Sequence, residues 1–436
     1  MQTQKNEQQI EKIYQKLKHE EHILTIPDTY IGSVEKNEGL FWDFNETDTK
    51  VFKRSMLIIP GLYKIFDEIL VNAYDQNIRL IQKLSKEKQS SLNIVRNIKV
   101  DIDQQIGEIS VYNDGEGIDI AIHPEHNIYV PELIFGNLLT STNYDQDEEK
   151  ITGGKNGYGA KLTNIFSHTF TIETVDSFRK KKFIQTYTNN MTKKEKPKVT
   201  KFSGKPFTKI TFIPDYQRFN LTGLDDHMFA IMKKRVYDIS ACTDQLVSVY
   251  FNQQKIVYKS FEKYSELFLP DDYLKVYEKV NDRWEIVVAC SNSDGFQQLS
   301  FVNGISTTKG GKHVDYVTNI LCKKLSEFIQ KKKKLTLKPN YIKENLMVFI
   351  KCTIVNPSFD SQTKDYLTTT PSNFGSKCDI NDKMIEKISK CGIIERAIEL
   401  FEFKEQKKLK TDDGRKTGSL RGIPKLDDAN LAGGAK

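Results

Sequence analysis

Apolar residues recur with helical spacing between Gly61 and Leu84, where Leu62, Ile65, Phe66, Ile69, Leu70 and Ala73 share one face. An earlier amphipathic stretch carries Ile10, Ile13 and Leu17, followed by the extended or turn segment Pro27 to Ser33. Alternating positions predict paired strands at 98–102 and 108–112, ending in a turn at Asn113-Asp-Gly-Glu-Gly117. Further strands are expected around 170–174, 183–187 and 209–213, then a helix over 221–241 and short strands at 247–250 and 255–258. Near residue 260 the texture changes to strands at 284–289 and 298–302, a helix at 314–329, a strand at 346–353 and a helix at 381–403. The pattern is that of an α+β chain with two folded units, and residues beyond Lys407 read as a polar, glycine-containing linker.

A length of 436 residues accommodates two or three domains, and 38% hydrophobic with 28% charged residues fits a globular protein. No run approaches eighteen apolar residues and the polar N-terminus has no signal-peptide core, so neither membrane insertion nor secretion is expected. Six scattered cysteines without CxxC or Cys/His pairing predict reduced thiols, with no zinc site and no disulfide framework. The net charge of +7 is modest, but the positive residues cluster at Arg179–Lys182, Lys193–Lys198 and Lys331–Lys334. Three such runs favour a polyanionic partner, nucleic acid.

The segment Ile151-Thr-Gly-Gly-Lys-Asn-Gly-Tyr-Gly-Ala-Lys161 packs four glycines and two lysines directly before an apolar helical run. Glycines allow a close backbone approach to an anion, while amides and lysines supply positive potential. It is not a Walker A loop, because Ala160-Lys161-Leu162 follows Gly159 where Lys and Ser or Thr are required. On the helix at 61–84, Glu68, Asn72, Asp75 and Arg79 form a polar stripe at spacings of four, three and four. Such a stripe alone is the wet side of a helix. Together with the glycine-lysine loop and Asn113-Asp-Gly-Glu-Gly117, however, it supplies a base, a hard-cation ligand and a phosphate cradle, the parts of metal-assisted phosphoanhydride hydrolysis.

In these motifs the chain resembles the GHKL ATPases, which use Glu-x-x-x-Asn, Asp-x-Gly-x-Gly and a glycine-rich lid. It is most similar to the ATPase region of eukaryotic type IIA topoisomerases. The resemblance rests on Pro27–Val34, Lys64–Ala73, Leu138–Tyr144, Thr152–Lys161, Asn356–Lys364 and Gly422–Asn430, in family order over nearly the whole chain. It implies a dimerisation arm at 1–34, a two-layer GHKL sandwich at 35–255, a smaller α/β transducer at 256–406 and, at 407–436, a linker towards a Toprim domain.

The same resemblance implies site residues. Glu68 would be the general base and Asn72 the Mg²⁺ ligand. Asn113 takes the adenine-facing position, where the wider superfamily has aspartate. Ser141, Thr142 and Asn143 would meet ribose and phosphates, while Gly154, Lys155, Asn156, Gly157, Tyr158, Gly159, Ala160 and Lys161 wrap the triphosphate of ATP. Lys364 would contact the γ-phosphate, with Gln362 and Thr363 beside it, and Tyr30 would reach a partner subunit's nucleotide in an ATP-dependent homodimer. Lys331, Lys332, Lys333 and Lys334 would bind double-stranded DNA without sequence preference. A nuclear location is also implied. Neither a cleavage tyrosine on a winged helix nor a Toprim acidic set is found, since Asp101-Ile-Asp103 lies in a strand hairpin, so the expectation is an N-terminal fragment that hydrolyses ATP but does not cut DNA. A gyrase-like or mismatch-repair-like ATPase and a non-catalytic ATP-liganded DNA clamp remain as alternatives.

Overall fold

The computed structural model describes residues 17–45, 47, 49–87, 93–138, 149–154, 157–293 and 295–412, with side chains described up to Lys407. Two short helices, α1 (His19–Thr25) and α2 (Asp28–Ile31), precede a hairpin of β1 (Asn37–Phe44) and β2 (Val51–Ile58) and the long helix α3 (Pro60–Glu87). Pro60 opens α3, where its fixed φ suits a first turn. Next come β3 (Asn97–Asp103), β4 (Glu108–Asp114), α4 (Val130–Gly136), α5 (Gly159–Ile165), β5 (Ser167–Asp176), β6 (Lys181–Thr188), β7 (Lys193–Lys194), β8 (Lys198–Lys201) and β9 (Phe207–Pro214). After α6 (Asp226–Cys242), β10 (Ser248–Phe251) and β11 (Gln254–Lys255) complete a sheet ordered β11-β10-β3-β4-β9-β5-β6-β7, with β8 also on β6. All its pairs are antiparallel except β10 with β3. Helices α3, α5 and α6 cover one face of it.

The second unit holds α7 (Phe261–Ser265), β12 (Lys275–Asn281), β13 (Trp284–Cys290), β14 (Gln297–Val302), β15 (Ile305–Ser306), α8 (Lys312–Lys333), α9 (Pro339–Lys343), β16 (Leu346–Cys352), α10 (Asp382–Ile388) and α11 (Ile393–Asp412). Its sheet is ordered β12-β13-β16-β14-β15, and α8 lies in the crossover that makes β16 parallel to β14. The apolar runs of β13 and β16 are buried on both faces: Val287, Ala289, Met347 and Phe349 join the core of the first unit, whereas Ile286, Val288, Val348 and Ile350 join a second core under α8. A shared apolar seam thus welds the two units.

Several expectations shift. Strand β4 runs through Asn113 and Asp114, because Asp114 accepts from the amides of Arg96 (2.6 Å) and Asn97 (2.8 Å); the turn begins at Gly115, φ +97°. Helix α6 starts at Asp226 rather than near Leu221, capped by Asp225, whose carboxylate accepts from the Met228 amide at 2.9 Å. The C-terminal helix is broken into α10 and α11 at Gly392, φ +79°. Within 255–258 only Lys255 is in a strand, and Lys331–Lys333 belong to α8. The hairpin β1–β2 and strand β12 were not foreseen. Ile10 and Ile13 lie outside the described residues.

Candidate active site

Helix α3 presents the polar stripe to a cavity of about 760 Å³ between α3, β4, α4, α5 and a loop of the second unit. Glu68, Asn72 and Arg79 line it from the helix, Asn113 from the end of β4, Gly154, Gly157, Tyr158, Gly159, Ala160 and Lys161 from the glycine segment, and Gln362 and Lys364 from the second unit. Residues nearly three hundred positions apart therefore meet in one chamber, of a size ordinary for small-molecule sites.

Glu68 is 5% exposed, yet two ammonium groups converge on its Oε1: Lys64, one turn earlier, at 2.5 Å and Lys364 at 3.0 Å. Burial alone would raise its pKa, but Lys364 first and then Lys64 outweigh it and hold the carboxyl at about 2. Burial depresses Lys64, with Glu68 opposing; burial also pulls Lys364 down, but Glu68 together with Asp67 and Asp75 outweighs it and leaves the ammonium raised. Lys364 also donates to the Gly153 carbonyl at 3.4 Å. The opposite oxygen, Oε2, faces Gly159 so closely that any Cβ there would overlap it. Glycine at 159 is a steric requirement of the carboxylate.

The glycine segment is held from below by Asp75, which accepts from the amides of Gly153 at 2.8 Å and Gly154 at 2.7 Å. Burial raises Asp75, opposed by Arg79 and by those two amides. Asn72 sits between these groups, half-buried, its Oδ1 near Gly154. Asn113, buried, donates Nδ2 to the Asp114 carbonyl at 3.0 Å. Lys161 donates to the Gly157 carbonyl at 2.7 Å, closing the start of α5 on itself, and burial lowers its ammonium to about 8.

The expected site residues divide accordingly. The cavity gathers Glu68, Asn72, Asn113, Gly154, Gly157 to Lys161, Gln362 and Lys364. Ser141, Thr142, Asn143, Lys155 and Asn156 lie outside the described residues. Thr363 turns away from the cavity: its hydroxyl donates to Asp365 at 3.0 Å and its methyl lies against Gly32 of the arm. Tyr30 does not line the cavity of its own chain; its hydroxyl is 3.0 Å from His22 Nδ1, and the His19 ring lies between Tyr30 and Tyr158, with centroids 6.3 Å from each. Lys331 to Lys334 are exposed at the C-terminal end of α8, where cations also suit the helix dipole, and Lys333 lies 3.5 Å from Glu395.

Three groups have roles that the sequence does not assign. Lys64 pairs with the expected base, and Asp75 anchors the loop. The third is Arg235, fully buried, which bonds Asp67 at 2.6 Å and the Gly304 carbonyl of the β14–β15 turn at 2.7 Å. Spacing hinted at the first two, on the helix that carries Glu68; nothing local marked Arg235.

A family model described as DNA gyrase B matches residues 244–417. The probable DNA topoisomerase 2 of Dictyostelium discoideum is 48% identical over 437 residues, covering 98% of this chain and 28% of that protein. DNA topoisomerase 2 of Drosophila melanogaster is 46% identical, with 98% and 29% covered, so the chain spans under a third of the length of these curated relatives. The ATPase region of Saccharomyces cerevisiae topoisomerase II superposes with a TM-score of 0.82 at 45% identity, covering 90% of this chain and 99% of that one. The 43K ATPase domain of Thermus thermophilus gyrase B, at 18% identity and a TM-score of 0.58, shares the GHKL fold alone. With a Glu-x-x-x-Asn helix and a glycine loop around one chamber, and with these relatives, the chain belongs to the ATPase region of the type II DNA topoisomerases.

Proposed function

We propose that the chain binds and hydrolyses ATP in the α3 cavity and, by dimerising on ATP, works as the entry gate of a DNA topoisomerase II that captures a DNA duplex. The observation that carries the reading is the convergence of Glu68, Asn72, the glycine segment and Lys364 on one chamber built by both units. Glu68 accepts the proton of the attacking water; its carboxylate is fully ionised near neutrality, as a base must be. Lys364, on the cavity wall, would meet the negative charge that develops on the γ-phosphate, and the backbone of Gly157 to Lys161 would receive the phosphate chain. The chamber fits a hard cation at Asn72, whose oxygen stands beside the buried Asp75 carboxylate and Gly154. Mg²⁺ held there would neutralise phosphate charge.

Tyr30 and the arm reach the partner subunit's site in the dimer, Lys331–Lys334 bind duplex phosphates, and the protein works in the nucleus. Ser141, Thr142, Asn143, Lys155 and Asn156 complete the nucleotide contacts. The saturation of Glu68 by Lys64 and Lys364 favours one second reading, a non-catalytic ATP-liganded clamp in which that carboxylate is structural. Magnesium-dependent hydrolysis by the wild type and by Glu68→Gln, with nucleotide binding and mass in solution read on the same samples, separates them. Turnover lost with binding and ATP-dependent dimerisation kept supports the gate; no turnover in either protein, with binding intact, supports the clamp. Equal turnover in both places the base elsewhere.

A further inference from the structure

Residues 179–209 hold eleven of the chain's Lys and Arg residues and a single acid, Glu195. Their formal charge of +10 exceeds the +7 of the whole chain. The excess positive charge of the protein is thus a local feature of one sheet edge, formed by β6, β7, β8 and the loop into β9. Three of the eleven are neutralised: Arg179 by Asp119 and Asp176, Lys182 by Glu173 and Lys194 by Glu132. The other eight form no ion pair among the described residues. Strand pairing even sets Lys181 directly opposite Lys201, a like-charge pair that costs stability in the absence of an anion.

The positive strip continues inward over the sheet face opposite α3 and α6. Lys209 stands opposite Tyr112, Tyr112 opposite Lys99, Lys99 opposite Tyr250 and Tyr250 opposite Lys255. From Lys209 the register passes Glu173, which is paired with Lys182, and Ile184 before it reaches Lys198 on β8, so the row spans seven strand intervals, roughly 34 Å at about 4.8 Å per interval, and is broken by one neutralised acid. That is about one turn of B-DNA. The rings are not a platform for stacked bases. The Lys99 ammonium lies 5.4 Å from the Tyr112 ring and 5.6 Å from that of Tyr250, and Phe207 packs against Tyr112 at 5.3 Å. Ring faces already occupied in this way favour contact with phosphates over contact with bases.

We infer that this edge and face form a second DNA surface, separate from Lys331–Lys334, that holds a duplex by its phosphates on the outside of the ATPase sheet. The inference rests on the DNA-handling reading above. Its test is fluorescence anisotropy of a labelled duplex of about 30 base pairs over a salt series. The proteins compared are the wild type, a variant with Lys180, Lys198, Lys201 and Lys205 changed to Gln, and a variant with Lys331–Lys334 changed to Gln. None of the four edge lysines lines the cavity, so basal ATP hydrolysis of the edge variant stays unchanged. The edge variant loses up to about 3.6 units of the log–log salt slope, four contacts at about 0.9 each. In the wild type, the duplex protects Lys198 and Lys201 from acetylation. An edge variant with the wild-type slope and no protection at those lysines, beside a weakened Lys331–Lys334 variant, overturns the inference and leaves the DNA reading standing. A preference of the edge for single strands also overturns it. A wild type that binds no duplex overturns both.

Discussion

The contact between Gly159 and Glu68 offers the sharpest test of the site. In Gly159→Ala the added methyl carbon would lie 1.9 Å from Glu68 Oε2, far inside van der Waals contact, and the carboxylate has no free retreat because Oε1 is clamped by Lys64 at 2.5 Å and Lys364 at 3.0 Å. Relief requires the carboxylate or α5 to withdraw by about 1 Å or more, a misplacement that costs on the order of 10²-fold in rate. Overpacking of this kind also destabilises a fold by about 1–3 kcal/mol. The assay is steady-state ATP hydrolysis with a thermal melt on the same protein, for Gly159→Ala, Glu68→Ala and the double variant. Turnover in Gly159→Ala should fall by roughly 10²-fold. Because Glu68→Ala removes the atoms the methyl strikes, adding Gly159→Ala to it should change neither residual turnover nor melting temperature. Full activity in Gly159→Ala, or additive losses in the double variant, would refute the argument that glycine is there to admit the carboxylate.

Other outcomes follow from the same geometry. Glu68→Gln should lower turnover by about 10²–10⁴-fold while nucleotide binding, read by calorimetry, persists. Arg235→Ala leaves Asp67 buried and unpaired, so urea unfolding should show a loss of about 3–5 kcal/mol. Burial holds His313 at about 3 against its ordinary 6.5. Its contribution to stability is therefore complete above pH 6.5 and is lost as pH falls towards 3, and His313→Gln should flatten that part of the stability–pH curve. The Glu68 carboxyl, held at about 2, should contribute stability that is lost only as pH falls from about 4.5 to 2, visible as a shrinking difference in unfolding free energy between wild type and Glu68→Gln.

The parts of the molecule readable from sequence are those in which neighbours along the chain are also neighbours in space. Glu68 and Asn72 share a face by helical spacing, and the glycine segment announces itself by composition. The hairpin β1–β2 escaped because its apolar residues are not confined to a buried face: Leu40 is 70% and Phe52 47% exposed. The end of β4 was placed too early because Asn and Asp favour turns, whereas here Asp114 uses its carboxylate to fasten β3. Arg235 was invisible for a different reason. Its partners, Asp67 and Gly304, lie 168 and 69 residues away in the chain, and an arginine in an amphipathic helix reads as a surface residue until the second unit covers it.

That covering has a mechanical meaning. Asp67 and Glu68 are consecutive on α3, so they leave the helix about 100° apart. Asp67 is tied through Arg235 to the β14–β15 turn, and Glu68 directly to Lys364 on another loop of the second unit. Two tethers fastened at different angles to one helical turn act as a pair of levers on an axle. A displacement of the second unit that pulls on one tether and slackens the other is felt by α3 as torque, swinging the Glu68 carboxylate against Gly159 while the core around Phe66 and Leu70 holds the axle in place.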